Sequence, residues 1–479
     1  MNLRQQAFSG VRWSSISALA RAGASFLQLA ILARFLEPAD FGRMALVFAV
    51  LALAQLAADL GVGAAVIQQR RISGEQLASL YWLGVAAGGS LAALVVLASP
   101  WVAAFYGEPM LQPLLSIVAF GMLIESLWAQ LRLLAEKELR FARLAQVEIA
   151  ASLAGLAVSA SIAVQGGGAY AIACGALATS IAGAALGWLL LSDGWRPALR
   201  LRPSEIRGFL SFGAYAMANN IVNTVNVQID VMLGLRVLGA TAMGLYSMPK
   251  NLCTQIVGTL NPMVMRVAFP LMAKAQEDTG QLRSYYLQVM RLTASSNFPV
   301  FIAIAAFAPE ITRLVFGPQW DEAVPLLRVF AVWALLRSTG NPVGSLLLAR
   351  GRIDLGFRWN LAWMGVFAAT AYVGSRFGAL GMAVALVTVG AVGQLPNWYF
   401  LVRPLCGAGI GEYFRALAVP LALAIPAGCA ALLAVAGLEG DLPRLAAGLA
   451  AGGGAYWALC LLFNREWTGA VLELAGRVR

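Results

Sequence analysis

Histidine is absent from this sequence of 479 residues, and other residue patterns that carry enzyme chemistry are scarce. The chain therefore lacks the commonest proton shuttle and metal ligand. Its five cysteines stand singly, without the CxxC spacing of metal sites, and are interpreted as small packing residues. No Walker A motif occurs, so transport by this chain would not be driven by its own ATPase. We predict no catalytic residue, no metal site and no cofactor.

Charged residues are also few, at 12% of the chain, whereas 60% of the residues are hydrophobic and the mean hydropathy is +0.75. Apolar runs of about 20 residues recur from end to end, and each can cross a hydrocarbon core of roughly 30 Å. The runs lack the alternation of a membrane barrel, which leaves helices as the structure that satisfies the backbone in lipid. The sequence predicts an all-α polytopic membrane protein with about fourteen transmembrane helices. The predicted spans are 13–33, 44–66, 79–103, 112–134, 146–164, 168–191, 209–233, 243–268, 292–312, 324–348, 356–374, 378–402, 413–435 and 444–463.

The distribution of Lys and Arg between the predicted loops indicates the topology. Twenty-two of these residues fall on one side of the membrane and only six on the other. By the positive-inside rule the richer side is cytoplasmic, and both termini lie there. The net charge of +11 is explained by this bias and by contact with anionic lipid, so no nucleic-acid partner is predicted. The six residues on the opposite side are Arg34, Arg43, Arg236, Arg313, Arg376 and Arg444.

The sequence contains an internal repeat. The segment LARFLEPADFGRMALV at 32–47 aligns with GLRVLGATAMGLYSMP at 234–249. The offset is 202 residues, and Gly42 falls opposite Gly244. Self-similarity at a fixed offset is the signature of a duplicated architecture. The chain is therefore predicted to contain two similar halves.

A second pair of segments extends the repeat. FYGEPMLQPLL aligns with VFGPQWDEAVPLL, which places Gly107 opposite Gly317. Each half contains six predicted helices, an even number, so both halves have the same orientation. Two such lobes can rock around a central cavity. The predicted domains are a first lobe at 1–195, a second lobe at 196–405 and two extra helices at 406–479.

The first predicted helix carries a cation, Arg21, about halfway along its apolar run, and no acidic residue in that run neutralises it. A charge at the centre of a membrane helix costs at least ~2.5 kcal/mol, so an intramembrane arginine indicates function. Other polar residues lie three or four positions apart along the same helix, so that together with Arg21 they form a polar stripe on one helical face. The stripe also contains Ser14, Ser17, Ser25 and Gln28. Its serines can equally serve as hydrogen-bonding residues between helices.

The seventh predicted helix carries a polar stripe with the same spacing. The repeat offset places Asn223 opposite Arg21 and Asp230 opposite Gln28. Two equivalent helices, one in each lobe, thus present a polar face in equivalent directions, which predicts a hydrated cavity between the lobes. The residues of the second stripe are Asn219, Asn223, Asn226 and Asp230.

Other charged residues lie inside the predicted spans. Glu125 in the fourth helix is matched in the second lobe by Arg337. The two are predicted either to form an ion pair across the cavity or to act on the substrate or a coupling ion. Lys250 follows Pro249, which is expected to bend its helix. The candidates for ion coupling or gating are Asp59, Glu125 and Asp230.

A cavity lined by uncompensated Arg and Lys favours an anion, because guanidinium forms bidentate hydrogen bonds to phosphate. Apolar surroundings add a preference for a lipid tail. The sequence therefore points to an amphiphile with a phosphorylated head. The predicted substrate-binding residues are Arg21, Gln28, Asn219, Asn223, Asn226, Lys250 and Arg337.

The opening of the chain resembles a known family. A tryptophan eight residues before Arg21, followed by LARFLEPADFGRMALV, is similar to the Wzx-type polysaccharide flippases of the multidrug/oligosaccharidyl-lipid/polysaccharide (MOP) exporter superfamily. LLLARGRIDLGFRWN from Leu346 resembles that family's second-lobe loop. The likeness implies a V-shaped, MATE-like transporter. It would move an undecaprenyl-diphosphate-linked oligosaccharide from the cytoplasmic to the periplasmic leaflet by alternating access, with Arg21 directed at the diphosphate.

The resemblance also implies a location, partners and a purpose. The location is the bacterial inner membrane, and the purpose is O-antigen, capsule or exopolysaccharide synthesis. The partners are a polyprenyl-diphosphate-linked oligosaccharide and membrane lipid, with a polysaccharide polymerase and other assembly proteins as further candidates. One alternative is a flippase for the lipid-linked peptidoglycan precursor.

Two further alternatives differ in substrate or in class. A MATE-type, cation-coupled drug antiporter shares the architecture, but Arg21 would repel its cationic substrates. A polysaccharide polymerase or ligase would be an enzyme. Such enzymes usually need a large extracytoplasmic loop, and the predicted loops are too short for one.

Overall fold

The computed structural model describes residues 3–59, 73–198, 203–465 and 467–469. Across these ranges the regular structure is helical, and the residues they contain form no β-strand. Twelve helices of the described chain are long and apolar enough to cross a membrane. The prediction of an all-α polytopic membrane protein is confirmed.

Six helices coincide with the first six predicted spans. The third begins with a capping box: Ser73 Oγ accepts from the Gln76 N–H at 3.2 Å, and Gln76 Oε1 accepts from the Ser73 N–H at 3.1 Å. It ends at Gly107, whose φ of 69° is left-handed. Gly317, the repeat partner of Gly107, also has a positive φ, of 103°. The six helices are α1 (Leu3–Phe35), α2 (Pro38–Asp59), α3 (Gly74–Tyr106), α4 (Leu111–Lys137), α5 (Phe141–Val164) and α6 (Ala169–Leu191).

The seventh and eighth predicted spans form one helical segment, α7 (Pro203–Lys274). Its regular geometry is interrupted at Gly239, where φ is 81° and ψ is 173°. Only glycine adopts this backbone conformation without a steric penalty. The break at Gly239 is separate from the bend expected at Pro249, which stays a prediction.

The remaining helices follow the predicted order. The predicted number of fourteen spans is approximate, because α7 holds two of them and α12 is less apolar than the twelve membrane-crossing helices. Short π-helical turns (Thr312–Phe316 and Trp398–Val402) and a 3-10 turn (Pro318–Ala323) lie between them. The helices are α8 (Thr279–Ala306), α9 (Ala308–Ile311), α10 (Val324–Ser338), α11 (Asn341–Ala349), α12 (Ile353–Ser375), α13 (Gly378–Val392), α14 (Gln394–Asn397), α15 (Arg403–Cys406), α16 (Ile410–Ala434) and α17 (Asp441–Phe463).

The chain divides into two compact units, Met1–Gly244 and Leu245–Arg479. In the first unit the buried Trp128 packs in an apolar cluster with residues of α4, α5 and α6. In the second unit the fully buried Tyr286 and Tyr413 belong to the core. The lobe boundary at 195/196 was inferred from the sequence repeat and stays a prediction.

The two glycines that the repeat alignment equates meet at a close approach of α2 and α7 in the first unit. A Cβ on Gly42 would lie 1.9 Å from the carbonyl oxygen of Ala240. A Cβ on Gly244 would lie 1.6 Å from the carbonyl oxygen of Pro38. Small residues of this kind let helix backbones approach closely in a membrane protein.

Ion pairs in the first unit join helix ends that the predicted topology places on the same side of the membrane. Arg43 Nε lies 2.9 Å from Glu108 Oε2, which joins the start of α2 to the end of α3. At the opposite ends of the helices, Arg143 Nη1 lies 2.8 Å from Asp193 Oδ1. That pair joins the start of α5 to the residues that follow α6. Successive helices therefore run in alternating directions.

The second unit shows the same grouping. Arg444 of α17 donates from Nε to Glu310 Oε1 at 2.8 Å, just after the end of α8. At the other end of α8, Arg283 pairs with Glu412 at the start of α16. Arg350 donates from Nη1 to the carbonyl oxygen of residue 276 at 2.7 Å, also beside the start of α8. Which of these two sides faces the cytoplasm stays a prediction.

Candidate functional site

Arg21 on α1 has an acidic neighbour on another helix. Its Nη1 atom lies 3.4 Å from Oε1 of Glu148 on α5, and the two side chains are 47% and 15% exposed. The expectation of an uncompensated cation is therefore wrong, because the carboxylate offsets part of the cost of placing the guanidinium in the membrane. Guanidinium carries five N–H donors. A half-exposed arginine with one contact of this length keeps donors for a second anion.

The depth of the pair in the membrane is indicated by Glu148. This residue lies seven residues after Phe141, where α5 begins, which is roughly 10.5 Å along a helix that spans Phe141–Val164. Arg21 contacts Glu148 from the neighbouring helix. The pair therefore lies away from the middle of α5, towards the end at which this helix begins.

Two hydrogen bonds join the polar stripe of α1 to α5. Ser17 Oγ donates to Glu148 Oε2 at 2.6 Å, and Gln28 Nε2 donates to Ser159 Oγ at 2.7 Å. The sequence separation is 131 residues in both, which is the pattern of parallel neighbouring helices. Ser17 and Gln28 thus form hydrogen bonds between helices. This agrees with the second interpretation of the serines of the stripe, as residues that hydrogen-bond neighbouring helices. Ser17 fixes the carboxylate that faces Arg21.

The stripe on α7 mixes exposed and buried side chains. Asn223 is exposed, Asn226 is half-buried and Asp230 is only 6% exposed. Asp230 Oδ1 accepts a hydrogen bond from the backbone N–H of Val231 at 2.9 Å. The side chains of two other candidates lie outside the described residues, namely Asn219 and Asp59.

The two basic candidates of the second unit differ in burial. Lys250 is 5% exposed within α7. Arg337, at the end of α10, is exposed, and its guanidinium carbon lies 5.3 Å from the ring centroid of Trp333. Contact with an aromatic face stabilises a cation. Their roles in substrate binding stay predictions.

Glu125 has partners within its own helix. Arg132 Nη1 donates to Glu125 Oε1 at 3.1 Å, and Trp128 Nε1 donates to Glu125 Oε2 at 2.8 Å. The predicted contact between Glu125 and Arg337 stays a prediction, but Glu125 does not need it for charge compensation. The carboxylate lines a cavity of about 440 Å³ inside the first unit, formed by α2, α3, α4 and α6.

Glu148 and Arg132 are the residues that sequence reasoning missed. Each lies within eight residues of a helix end, where a charged side chain is normally assigned to the membrane interface. A signal was present for Glu148, because it lies inside a predicted span and α1 and α5 are both odd-numbered, hence parallel. No pattern in the sequence indicated which of the odd-numbered helices α1 contacts.

The family model described as polysaccharide biosynthesis protein matches residues 31–325. This chain belongs to that family. Among its relatives are the lipopolysaccharide biosynthesis protein WzxC of Escherichia coli (strain K12), at 30% identity over 89% of this chain and 87% of the relative. The teichuronic acid biosynthesis protein TuaB of Bacillus subtilis (strain 168) is 29% identical over 96% of this chain and 95% of the relative. The resemblance to Wzx-type proteins is confirmed.

Solved structures show that this family member has the MOP fold. The lipid II flippase MurJ, in an inward closed conformation, has a TM-score of 0.73 and 11% identity over 95% of this chain and 99% of its own. An inward-facing multidrug resistance MATE transporter of the MOP superfamily has a TM-score of 0.64 and 14% identity over 84% of this chain and 98% of its own. At these identities the likeness concerns the fold.

Proposed function

We propose that this protein moves a polyprenyl-diphosphate-linked oligosaccharide from the cytoplasmic to the periplasmic leaflet of the bacterial inner membrane by alternating access. Both termini lie in the cytoplasm, and the protein acts as a transporter without an enzymatic step. Membership of the polysaccharide biosynthesis family supports the substrate class. The relatives named for lipopolysaccharide and teichuronic acid biosynthesis support it further.

The geometry of Arg21 carries the proposal. A lipid-linked diphosphate keeps its charged group near the headgroup layer while its chain stays in the hydrocarbon. Its partner Glu148 lies roughly 10.5 Å from the start of α5, and a long arginine side chain can extend from this level towards a headgroup. The side chain of Arg21 is 47% exposed, and among the described residues the carboxylate that it contacts is Glu148, at 3.4 Å. A diphosphate offers shorter, bidentate hydrogen bonds and can take the place of this carboxylate.

Ion coupling belongs to the same proposal, and Asp230 is the strongest of the three candidate carboxylates. It is buried, with 6% of its surface exposed. A change in the charge of a buried carboxylate has a large effect on the free energy of the conformation that holds it. Glu125 is less buried, with its side chain 30% exposed. The side chain of Asp59 lies outside the described residues.

Replacement of Arg21 tests the proposal. We expect Arg21→Ala to abolish surface polysaccharide in a strain that carries only this variant, with protein levels near normal. Arg21→Lys should restore it in part, because an ammonium group keeps the charge but loses the bidentate geometry. The matched control is Arg376→Ala, which removes an exposed arginine after α12. Normal polysaccharide in the Arg21→Ala strain would refute the proposal.

A second candidate is transport of the lipid-linked peptidoglycan precursor, favoured by the TM-score of 0.73 to MurJ over nearly the whole chain. This substrate is also a polyprenyl diphosphate, so Arg21 would serve both. The two are separated by complementation. Growth of a strain depleted of its peptidoglycan precursor flippase, restored by this protein, would favour the second candidate.

A further inference from the structure

The first unit contains a largely apolar cavity that is distinct from the Arg21 site. Its volume of about 440 Å³ lies in the range of small-molecule sites. The walls include apolar side chains such as Leu80, Met122 and Leu177. Against them stand the charged side chains of Glu125 and Arg132. An apolar cavity with a few charged groups is suited to an amphiphilic ligand.

The charges in this cavity select the charge of the ligand. Glu125 and Arg132 bind each other at 3.1 Å, so the pair is neutral as a whole. An anion that took Arg132 would leave Glu125 without its cation, and a cation that took Glu125 would leave Arg132 without its anion. Either outcome costs free energy in a site of low dielectric constant. A zwitterion gives each of the two side chains a new partner of opposite charge.

The hydrogen-bonding groups select the chemistry of each end of the zwitterion. One N–H of Arg132 reaches Glu125, which leaves others for a ligand. Gln130 lines the same cavity and is 6% exposed, and its Nε2 has no hydrogen-bond partner in the described structure. These donors fit phosphate oxygens. Glu125 accepts one bond at each oxygen and retains lone pairs that fit the N–H groups of an ammonium.

The depth of the cavity fits a membrane lipid. Arg132 lies five residues before Lys137, where α4 ends, which is roughly 7.5 Å along the helix. Gly84 of α3 also lines the cavity, and a Cβ there would meet no atom within 4 Å. We propose that this cavity binds the headgroup of a zwitterionic phospholipid with a primary ammonium, of the phosphoethanolamine type. Its phosphate binds Arg132 and Gln130, and its ammonium binds Glu125.

Lipid titration of the purified full-length protein in detergent tests the proposal. Short-chain phosphatidylethanolamine, phosphatidylcholine and phosphatidylglycerol would be compared by native mass spectrometry. We expect phosphatidylethanolamine to bind at least tenfold more tightly than the other two. Phosphatidylcholine has no ammonium N–H for Glu125, and phosphatidylglycerol has no cation. Equal binding of the three lipids would overturn the proposal and indicate ordinary boundary lipid.

Variants locate the binding. Gly84→Leu should fill the cavity and abolish the preference, whereas Ala86→Leu, on the exposed side of the same helix, should not change it. Glu125→Gln removes the negative charge, so the cavity keeps only the positive charge of Arg132. The affinity ratio of phosphatidylglycerol to phosphatidylethanolamine should then rise at least tenfold. Arg132→Gln should weaken binding of all three lipids.

Two outcomes of the variant series would overturn the proposal. The first is an unchanged lipid preference in Gly84→Leu, and the second is an unchanged preference in Glu125→Gln. The second variant is nearly isosteric, so it decides the matter if Gly84→Leu does not fold. These measurements contain no transported substrate, so their failure would leave the proposed transport function intact.

Discussion

At the scale of single residues, the main finding is the contact between Arg21 and Glu148. The sequence marks Arg21 as a functional candidate because a cation in lipid requires charge compensation. The compensating charge is the carboxylate of Glu148 on α5, which accepts a hydrogen bond from Ser17 Oγ at 2.6 Å. Glu148 is the counter-ion of Arg21, and in the proposed transport the substrate diphosphate displaces it. In this role the carboxylate competes with the ligand for the same guanidinium.

Glu148→Gln tests the competition. Removing the carboxylate charge should strengthen diphosphate binding, since the arginine is half-exposed and such a pair contributes about 0.2–1 kcal/mol. A gain of up to about fivefold in affinity for a short-chain polyprenyl diphosphate is expected, measured by calorimetric titration of the purified protein. Transport should slow, because release becomes harder. The control is Glu439→Gln, an exposed carboxylate between α16 and α17. Weaker binding in Glu148→Gln would mean that the carboxylate positions Arg21 instead of competing for it.

The limits of sequence reasoning are clearest at this same scale. The polar residues of α1 were predictable, because their spacing of three and four depends only on helix geometry. Their partners were not predictable, since Glu148 and Ser159 lie on a helix far away in the sequence. Arg132 differs, because it lies seven residues after Glu125 on the same face of α4, and helix geometry alone allows this contact. Which residues share a contact depends on tertiary packing.

At the scale of helices, the apolar runs and the glycines of the repeat were predictable, and the break in α7 was not. Hydropathy is a property of each segment, so the spans could be found without knowledge of their neighbours. The break at Gly239 depends on a backbone conformation that the sequence leaves optional. Gly42 and Gly244, by contrast, were equated by alignment and meet in the structure.

Substitution of Gly42 measures the value of this close approach. Gly42→Ala should lower stability, because the new Cβ would lie 1.9 Å from the Ala240 carbonyl oxygen. Overpacking costs about 1–3 kcal/mol, which exceeds the gain of about 0.5–1 kcal/mol from replacing a helical glycine with alanine. Gly258→Ala is the matched control, since a Cβ there meets nothing within 4 Å. Thermal unfolding in detergent should place Gly42→Ala below wild type and Gly258→Ala at or above it. Equal melting temperatures for the two variants would contradict the packing argument.

At the scale of the whole molecule, charge distribution and ion pairing agree. Six basic residues are assigned to the side of the membrane with few Lys and Arg residues. Three of them each bind a carboxylate, namely Arg43, Arg313 and Arg444. The net positive charge of +11 is therefore carried mostly by the other side. By the positive-inside rule, the loops with many Lys and Arg residues stay on the cytoplasmic side, next to anionic lipid. The predicted orientation of the protein rests on this asymmetry, and the proposed direction of transport assumes that orientation.

Cysteine accessibility tests the orientation. In a variant with all five native cysteines replaced, Glu138→Cys and Glu277→Cys place thiols between α4 and α5 and between α7 and α8. Pro109→Cys and Glu439→Cys place them at the opposite helix ends. In intact cells a membrane-impermeant maleimide should label only the second pair, and permeabilised cells should allow labelling of all four. Polysaccharide export by each variant serves as the control for folding. Labelling of the first pair in intact cells would reverse the orientation and place Arg21 near the periplasmic leaflet. In that position it could not accept a diphosphate from the cytoplasmic side.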